Sequence, residues 1–130
     1  MANITPTVTI PPGAGSGNTV VIATWGPMQN GDVGLPAVTT SPGLALFADT
    51  SVQVVGTFGA GGSVAFEGSN DGVNYAALHD PEGNTIALTL ASPLKAILEN
   101  VMNDRPHVTA GDGTTSLTVI ALYRRASPWQ

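Results

Sequence analysis

The sequence predicts an all-β protein: an antiparallel β-sandwich that is jelly-roll-like and contains at most one short helix. Runs of β-branched and aromatic residues with a period of two recur along the chain, as half-buried strands require. Sixteen Gly and ten Pro provide the turns between these runs. Because the chain contains no Cys, it lacks the Cys…Trp…Cys spacing of immunoglobulin domains, and this favours the jelly roll.

The 130 residues are enough for one domain with a single core. We expect a β-sandwich domain over residues 18–125, an extended N-terminal arm at residues 1–17 and a C-terminal tail at residues 126–130. Three prolines in the arm remove backbone donors and restrict any strand there to a sheet edge. The arm is expected either to fray or to become ordered against a neighbouring subunit by strand addition.

Residues 51–78 are predicted to form a β-meander of three strands. Val52 and Val54 share one face of the first strand, and Val64 and Phe66 share one face of the second. Gly-rich and Asn-Asp-Gly turns follow these strands, and such residues tolerate the positive φ that tight hairpins need. The turns occupy residues 59–62 and 69–72.

Further strands are predicted from alternation or from continuous apolar runs. The first of them, an unbroken apolar run that ends at Trp25, is expected to be central in its sheet. These strands span residues 18–25, 35–38, 44–48, 85–90, 105–110 and 116–123.

Residues 93–102 fit two structures. An amphipathic helix is favoured, because a Ser-Pro pair supplies its N-cap and first residue and a stripe of apolar residues has helical spacing. The alternative is a strand with Leu94, Ala96 and Leu98 facing inward. The helical stripe would consist of Leu94, Ile97, Leu98, Val101 and Met102.

The chain offers few groups for catalysis, so we predict no enzymatic activity and no cofactor. His79 and His107 are its histidines, and no G-x-S-x-G motif accompanies them. Glu67 and Glu99 would make a glycosidase-like pair only if folding brought them together. Residues 70–74 carry oxygen-bearing side chains but lack the bidentate Glu of a calcium loop, so a hairpin turn is favoured over a metal site.

The formal net charge is −5, and the chain has only four Lys or Arg residues. Nucleic acids are bound mainly by clustered cations, so nucleic-acid binding is excluded. No apolar run approaches the roughly 20 residues of a membrane span. Low charge is typical of surfaces that contact other proteins, although a small sandwich with polar, uncharged loops would have the same composition.

Both ends of the chain contain residues suited to a protein partner. Trp129 lies beyond Pro128 and cannot easily reach its own core, and exposed Trp and Arg are frequent anchors of interfaces. A disordered tail is the alternative. The candidate interface residues are Ile4, Val8 and Ile10 near the N-terminus and Arg124, Arg125 and Trp129 near the C-terminus.

Three glycine-containing segments carry a family resemblance: GSVAFEGSNDGVNY at residues 62–75, DPEG at 80–83 and RPHVTAGDGT at 105–114. Together with Trp25 and residues 30–32, they resemble motifs of a group of small virion proteins of tailed bacteriophages. That family commonly has Trp where this sequence has Tyr75. The resemblance covers residues 18–125 and leaves out the arm and the tail.

The resemblance implies a capsid decoration (cement) protein, bound outside the shell of the major capsid protein and stabilising contacts between capsomers. Such a protein would associate as a dimer or trimer on the capsid and reside in the host cytoplasm during assembly. The hairpin at residues 67–72 is also similar to that of discoidin-like sandwiches. The alternative is therefore a carbohydrate- or receptor-binding module of a phage tail or fibre, which would need an exposed aromatic platform, whereas Trp25 and Tyr75 are predicted to be buried.

Overall fold

The computed structural model describes residues 2–10, 20–41, 44 and 47–125. Within these residues the chain forms ten strands and one short helix, and that helix is far too short to cross a membrane. The elements are β1 (Asn3–Ile4), β2 (Thr7–Thr9), β3 (Val20–Met28), β4 (Val33–Gly34), α1 (Ala37–Thr40), β5 (Asp49–Thr57), β6 (Ser63–Ser69), β7 (Ala76–Ala77), β8 (Leu94–Ile97), β9 (Asn103–Ala110) and β10 (Ser116–Arg124).

The strands form two five-stranded sheets. The first sheet has the strand order β1-β4-β9-β6-β7, and the second has the order β2-β3-β10-β5-β8. Neighbouring strands are antiparallel, apart from β1 and β4, which are parallel. The predicted all-β, antiparallel sandwich with at most one short helix is therefore confirmed.

The core between the sheets is built from alternate residues of the long strands, because successive side chains of a strand point to opposite faces. Trp25 and Phe66 are fully buried, and their rings pack edge to face with centroids 6.2 Å apart. The Trp25 Nε1–H donates to the Leu35 carbonyl at 2.8 Å. Strand β10 contributes four buried residues to the same core: Leu117, Val119, Ala121 and Tyr123.

The predicted meander is wrong for its first pair of strands. β5 pairs with β10 and β8, whereas β6 pairs with β9 and β7 in the other sheet. The turn at residues 59–62 therefore carries the chain from one sheet to the other, with Gly59 and Gly61 at positive φ. Turn residues specify a reversal, but long-range packing chooses the partner strand. β6 and β7 do form the predicted hairpin, although β7 covers only two of residues 73–78 and Val73 is exposed.

A second crossing turn, between β9 and β10, packs against the first. Asp112 Oδ2 accepts the Ala60 backbone N–H at 2.8 Å, and the Thr115 hydroxyl donates to the Phe58 carbonyl at 2.8 Å. Hydrogen bonds from the Thr114 hydroxyl, and then from the Ala60 and Thr114 backbone, lower the pKa of Asp112 to about 2. The two turns thus close one end of the sandwich together.

The helix predicted at residues 93–102 is wrong. β8 pairs with β5 at the edge of the second sheet, and Ile97 faces the core. The alternative of a strand is therefore right for Leu94–Ile97. Its predicted orientation is wrong, because Leu94 and Leu98, expected to face inward, are 59% and 53% exposed. A helix shorter than about 12 residues is marginal without tertiary packing, whereas β5 offers backbone partners along its edge.

Two other predicted strands are absent. At residues 35–38 the chain leaves β4 and enters α1. Residues 85–90 make only isolated bridges, although Ile86 and Leu88 are buried as their alternation predicts. The strand predicted at residues 44–48 lies partly outside the described residues.

The predicted separate arm is wrong for the residues that the structure describes, because they belong to the sandwich. β1 pairs with β4 in the first sheet, and β2 pairs with β3 in the second. Asp32 fixes this segment: its Oδ1 accepts the Ala2 backbone N–H at 2.9 Å, and its Oδ2 accepts the Gln29 backbone N–H at 2.8 Å. Residues 11–17 of the arm lie outside the described residues.

We expect Asp32→Ala to lower the free energy of unfolding by about 2 kcal/mol, because a hydrogen bond to a charged group contributes about 1.5–3 kcal/mol. Urea-induced unfolding measures the loss. Glu82→Ala, at an exposed turn position, is the control and should stay within about 0.5 kcal/mol of the parent protein. If the two variants were equally stable, Asp32 would not be what holds the N-terminal strands in place.

Candidate interaction surface

Ile4 and Val8, two of the candidate interface residues, support the domain itself. Both are half-buried and pack against the core, Ile4 on β1 and Val8 on β2. This packing accounts for their apolar side chains without a partner, and their role as partner contacts stays a prediction. The sequence placed them outside the domain because the nearby prolines interrupt the strand pattern, and the pairing of these strands with β4 and β3 is a long-range feature.

The other candidates lie in different surroundings. Ile10, directly after β2, is 53% exposed. Arg125 is half-buried, and its guanidinium lies 5.4 Å from the centroid of the Phe47 ring. Trp129 lies outside the described residues. Arg124, at the end of β10, is exposed and lies on the outer face of the second sheet.

The outer face of the first sheet carries an ionic cluster. Glu67 on β6 accepts a hydrogen bond from Arg105 Nε at 3.0 Å and lies 3.0 Å from Nδ1 of His107. The Arg105 guanidinium also lies 3.7 Å from the centroid of the Tyr75 ring. These four side chains are each other's partners, so the charges of this face are paired.

The outer face of the second sheet has a different chemistry. Buried and outward residues alternate along β3, β5 and β10, and the outward positions away from one end are aliphatic, small or, at Gln53, polar and uncharged. We call the outward side chains of β3, β10, β5 and β8 the uncharged face. Its aliphatic members are Ile22, Val55, Leu94, Ala96, Ile120 and Leu122.

Charged side chains are found at only one end of this face. Arg124 on β10 and Asp49 on β5 are register partners there, and both are exposed. No ion pair among the described residues includes either of them, although they lie opposite each other on adjacent strands. Two shallow depressions of 460 and 260 Å³ lie along the face, and Ser51 and Leu122 line both. An aliphatic centre with charge at the edge is the composition of a protein-binding surface.

Glu67 and Glu99, the two carboxylates considered for catalysis, each contact a different histidine. Glu99 Oε1 accepts the His79 backbone N–H at 2.7 Å, and its Oε2 lies 2.5 Å from His79 Nδ1. Although burial opposes it, hydrogen bonding to His79 lowers the pKa of Glu99 overall. Each carboxylate thus has its own histidine partner, Glu67 with His107 and Glu99 with His79, and Glu67 also accepts a hydrogen bond from Arg105.

Asp71 organises the oxygen-rich loop through hydrogen bonds to its carboxylate. The backbone N–H groups of Asn74 and Val73 donate to Oδ1 at 2.8 Å each, and the Ser69 hydroxyl donates at 2.7 Å. These bonds, that of the Asn74 backbone first, lower the pKa of Asp71. No group of three or more His, Asp or Glu side chains in the described ranges is placed to hold a metal ion. The hairpin therefore accounts for these residue types.

A carboxyl–phenol pair lies between the sheets. The Tyr123 hydroxyl donates to Asp104 Oδ1 at 2.8 Å, and burial raises the pKa of Asp104 to about 6. Burial, and then the neighbouring Asp104, raise the pKa of Tyr123. Both side chains line a cavity of about 10 Å³, together with Glu99. The sequence did not indicate this pair, because it depends on how β9 and β10 pack across the sandwich.

No family model, no curated protein and no solved structure matches this chain. Its own surface chemistry is therefore the basis for a functional conclusion.

The sequence did contain a signal for the uncharged face, although its residues were not singled out. The strands predicted at residues 18–25 and 116–123 are nearly continuous apolar runs. An antiparallel strand with one solvated face alternates between apolar and polar residues instead. Apolar residues on both faces indicate that the outer face is meant to be covered.

Proposed function

We propose that this protein is a structural component of a bacteriophage virion: a cement protein that binds the outside of the major capsid protein shell and stabilises contacts between capsomers. The observation that carries the proposal is the uncharged face. A sheet face with an aliphatic centre is typical of proteins that work in contact with other protein subunits. The ion-paired outer face of the first sheet is suited to water.

The motif resemblance supports the same proposal. Residues 62–75 form β6 and the turn towards β7, and residues 105–114 form most of β9 and the crossing turn after it. The residues that carry the resemblance thus lie in two strands of the first sheet, β6 and β9, and in the turns that follow them. The strand order supports the finer fold assignment, since β3-β10-β5-β8 and β4-β9-β6-β7 are the two sheets expected of an eight-stranded jelly roll.

The shell would be stabilised by the binding of many copies of this protein. A capsid presents many identical sites, so a contact of modest affinity stabilises the shell when many copies bind and when one unit bridges neighbouring capsomers. In this proposal the protein joins the shell in the host cytoplasm and remains on the outer surface of the virion.

A carbohydrate- or receptor-binding module of a tail or fibre has less support. Such a site needs an exposed aromatic ring beside polar groups. Trp25 is fully buried, as predicted. The prediction of a buried Tyr75 is wrong, because its side chain is half-buried on the outer face of the first sheet, where the Arg105 guanidinium covers one face of its ring. Trp129 lies outside the described residues.

Co-sedimentation of the full chain with matching shells that lack it tests the cement proposal. We expect saturable binding at a fixed ratio to the major capsid protein, and greater heat resistance of the loaded shells. Shells of an unrelated phage are the specificity control. Absence of saturable binding to the matching shells would contradict the proposal, and a glycan screen would then test the alternative.

A further inference from the structure

We propose that a second copy of this chain covers the uncharged face, and that the two copies pack face to face around a two-fold axis parallel to β5 and β10. The dimer's role on a capsid rests on the proposed function. The dimer contact itself does not, because it involves only two copies of this chain. It makes each cement unit a symmetric pair that can reach two capsomers at once.

The four strands β3, β10, β5 and β8 lie side by side in that order, so an axis between β10 and β5 divides these four symmetrically and leaves β2, beyond β3, outside the contact. Rotation about this axis places β10 of one copy over β5 of the other, and β3 over β8. Sheets that pack face to face keep their strands within about 30° of each other, which this arrangement satisfies. Each contact then occurs twice, as a two-fold interface requires.

The shape of the face fits this rotation. One row across the four strands consists of Ile22, Leu122, Ser51 and Ala96, which are successive register partners. The two large side chains lie on one side of the axis, and the two small ones lie on the other. The rotation therefore places Leu122 over Ser51 and Ile22 over Ala96, large on small. Ser51 belongs to the lining of both depressions, so the Leu122 side chain of the other copy has space to enter.

The charge of the face fits the same rotation. Arg124 and Asp49 are register partners on either side of the axis. Rotation places Arg124 of one copy opposite Asp49 of the other, and does so twice. Both charges are exposed, and no ion pair among the described residues includes either, so the pairing adds an opposite charge from the other copy to each one.

The net charge of −5 per chain does not oppose this contact at close range. Asp49 is the one acidic residue among the outward positions of β3, β10, β5 and β8, and it faces an Arg in the pair. The centre of the face buries no charge; its largest polar group is the amide of Gln53, which the rotation places opposite Ile120 of the other copy.

The area is sufficient for a reversible dimer. From strand spacings of about 4.8 Å and rises of about 3.3 Å per residue, the face covers roughly 500 Å² per copy. The pair then buries roughly 1,000 Å², the lower end of specific protein interfaces. We expect a dimer that dissociates on dilution.

Sedimentation velocity of the full chain over a concentration series tests the pairing. The expected result is a shift from a 13.1 kDa species towards twice that mass as the concentration rises. Leu122→Glu should weaken the dimer at least about 100-fold, because it buries like charges in the interface. Thr109→Glu, at an exposed position on β9 in the other sheet, is the matched control and should change dimerisation less than about twofold.

A charge swap separates the proposed geometry from any other use of the face. Arg124→Asp or Asp49→Arg alone places like charges opposite each other twice and should weaken the dimer about tenfold. The double variant with both changes restores opposite charges and should recover most of the parent affinity. Circular dichroism checks that each variant is folded.

Three outcomes would overturn the pairing. They are a monomer at the highest attainable concentration, a dimer insensitive to Leu122→Glu, and a double variant no better than the single ones. Shell binding by a protein that stays monomeric would leave the cement proposal intact and make the uncharged face the contact to the shell. A dimer with the expected charge-swap pattern and no affinity for shells would keep the pairing and contradict the cement proposal.

Discussion

Trp25→Ala should lower the free energy of unfolding by about 4 kcal/mol, the largest loss we expect from a single substitution in this chain. Replacing a buried Trp or Phe by Ala costs about 3–5 kcal/mol, because apolar contacts disappear and a cavity remains. Trp25 is fully buried, packs edge to face on Phe66 and donates to the Leu35 carbonyl. Its removal also leaves that carbonyl without its donor.

Urea-induced unfolding followed by far-ultraviolet circular dichroism measures the effect independently of Trp fluorescence. Trp25→Phe should fall between the parent and Trp25→Ala, since it retains an aromatic ring but loses the donor. Val73→Ala is the control, because Val73 is 78% exposed and should change the stability by less than about 0.5 kcal/mol. A loss below about 1 kcal/mol for Trp25→Ala would contradict the packing described for the core.

The second large effect depends on pH and involves Asp104. Burial raises the pKa of this carboxyl from its ordinary value of 3.8 to about 6 in the folded protein. Well below pH 3.8 the group is protonated in both the folded and the unfolded chain, so it has no net effect on stability. From near pH 3.8 to about 6 the unfolded chain ionises first, and the folded state therefore loses stability as the pH rises. Above pH 6 the cost is complete, at about 3 kcal/mol.

Asp104→Asn removes this ionisation and retains a group that can bond to the Tyr123 hydroxyl. The free energy of unfolding of the variant, minus that of the parent protein, should therefore increase by about 3 kcal/mol from pH 4 to pH 7. Glu99, which lines the same cavity, and the other carboxylates titrate in both proteins and cancel in the difference. Glu82→Gln is the control, and its curve should run parallel to that of the parent. Parallel curves for Asp104→Asn would show that Asp104 is not held in an environment that opposes its ionisation.

The residues of the core were largely predictable, because alternation is a local property. Val52, Val54, Val64 and Phe66 are buried as their parity indicates. The assignment of strands to sheets was not predictable, since the glycines at residues 59–62 are suited equally to a hairpin and to a crossing between sheets. That choice depends on which distant strand, β10 or β9, supplies the hydrogen bonds.

One wrong prediction, at β8, and one missed pairing, between Arg124 and Asp49, have the same origin. At β8, apolar residues fit both the helical and the strand period, and the edge of β5 decided between them by pairing with Leu94–Ile97. At the candidate surface, Arg124 was identified from its residue type alone. Its relation to Asp49 is a matter of register between strands far apart in sequence, and no local pattern contains it.

The N-terminal strands have a consequence for solubility. An exposed sheet edge presents unpaired backbone groups and is a template for uncontrolled polymerisation. β1, of two residues, is an edge strand of the first sheet, and β2, of three residues, is an edge strand of the second; Pro6 between them has no backbone N–H. Very short edge strands and a neighbouring Pro present few unpaired backbone groups, so strand-to-strand growth is disfavoured at these two edges.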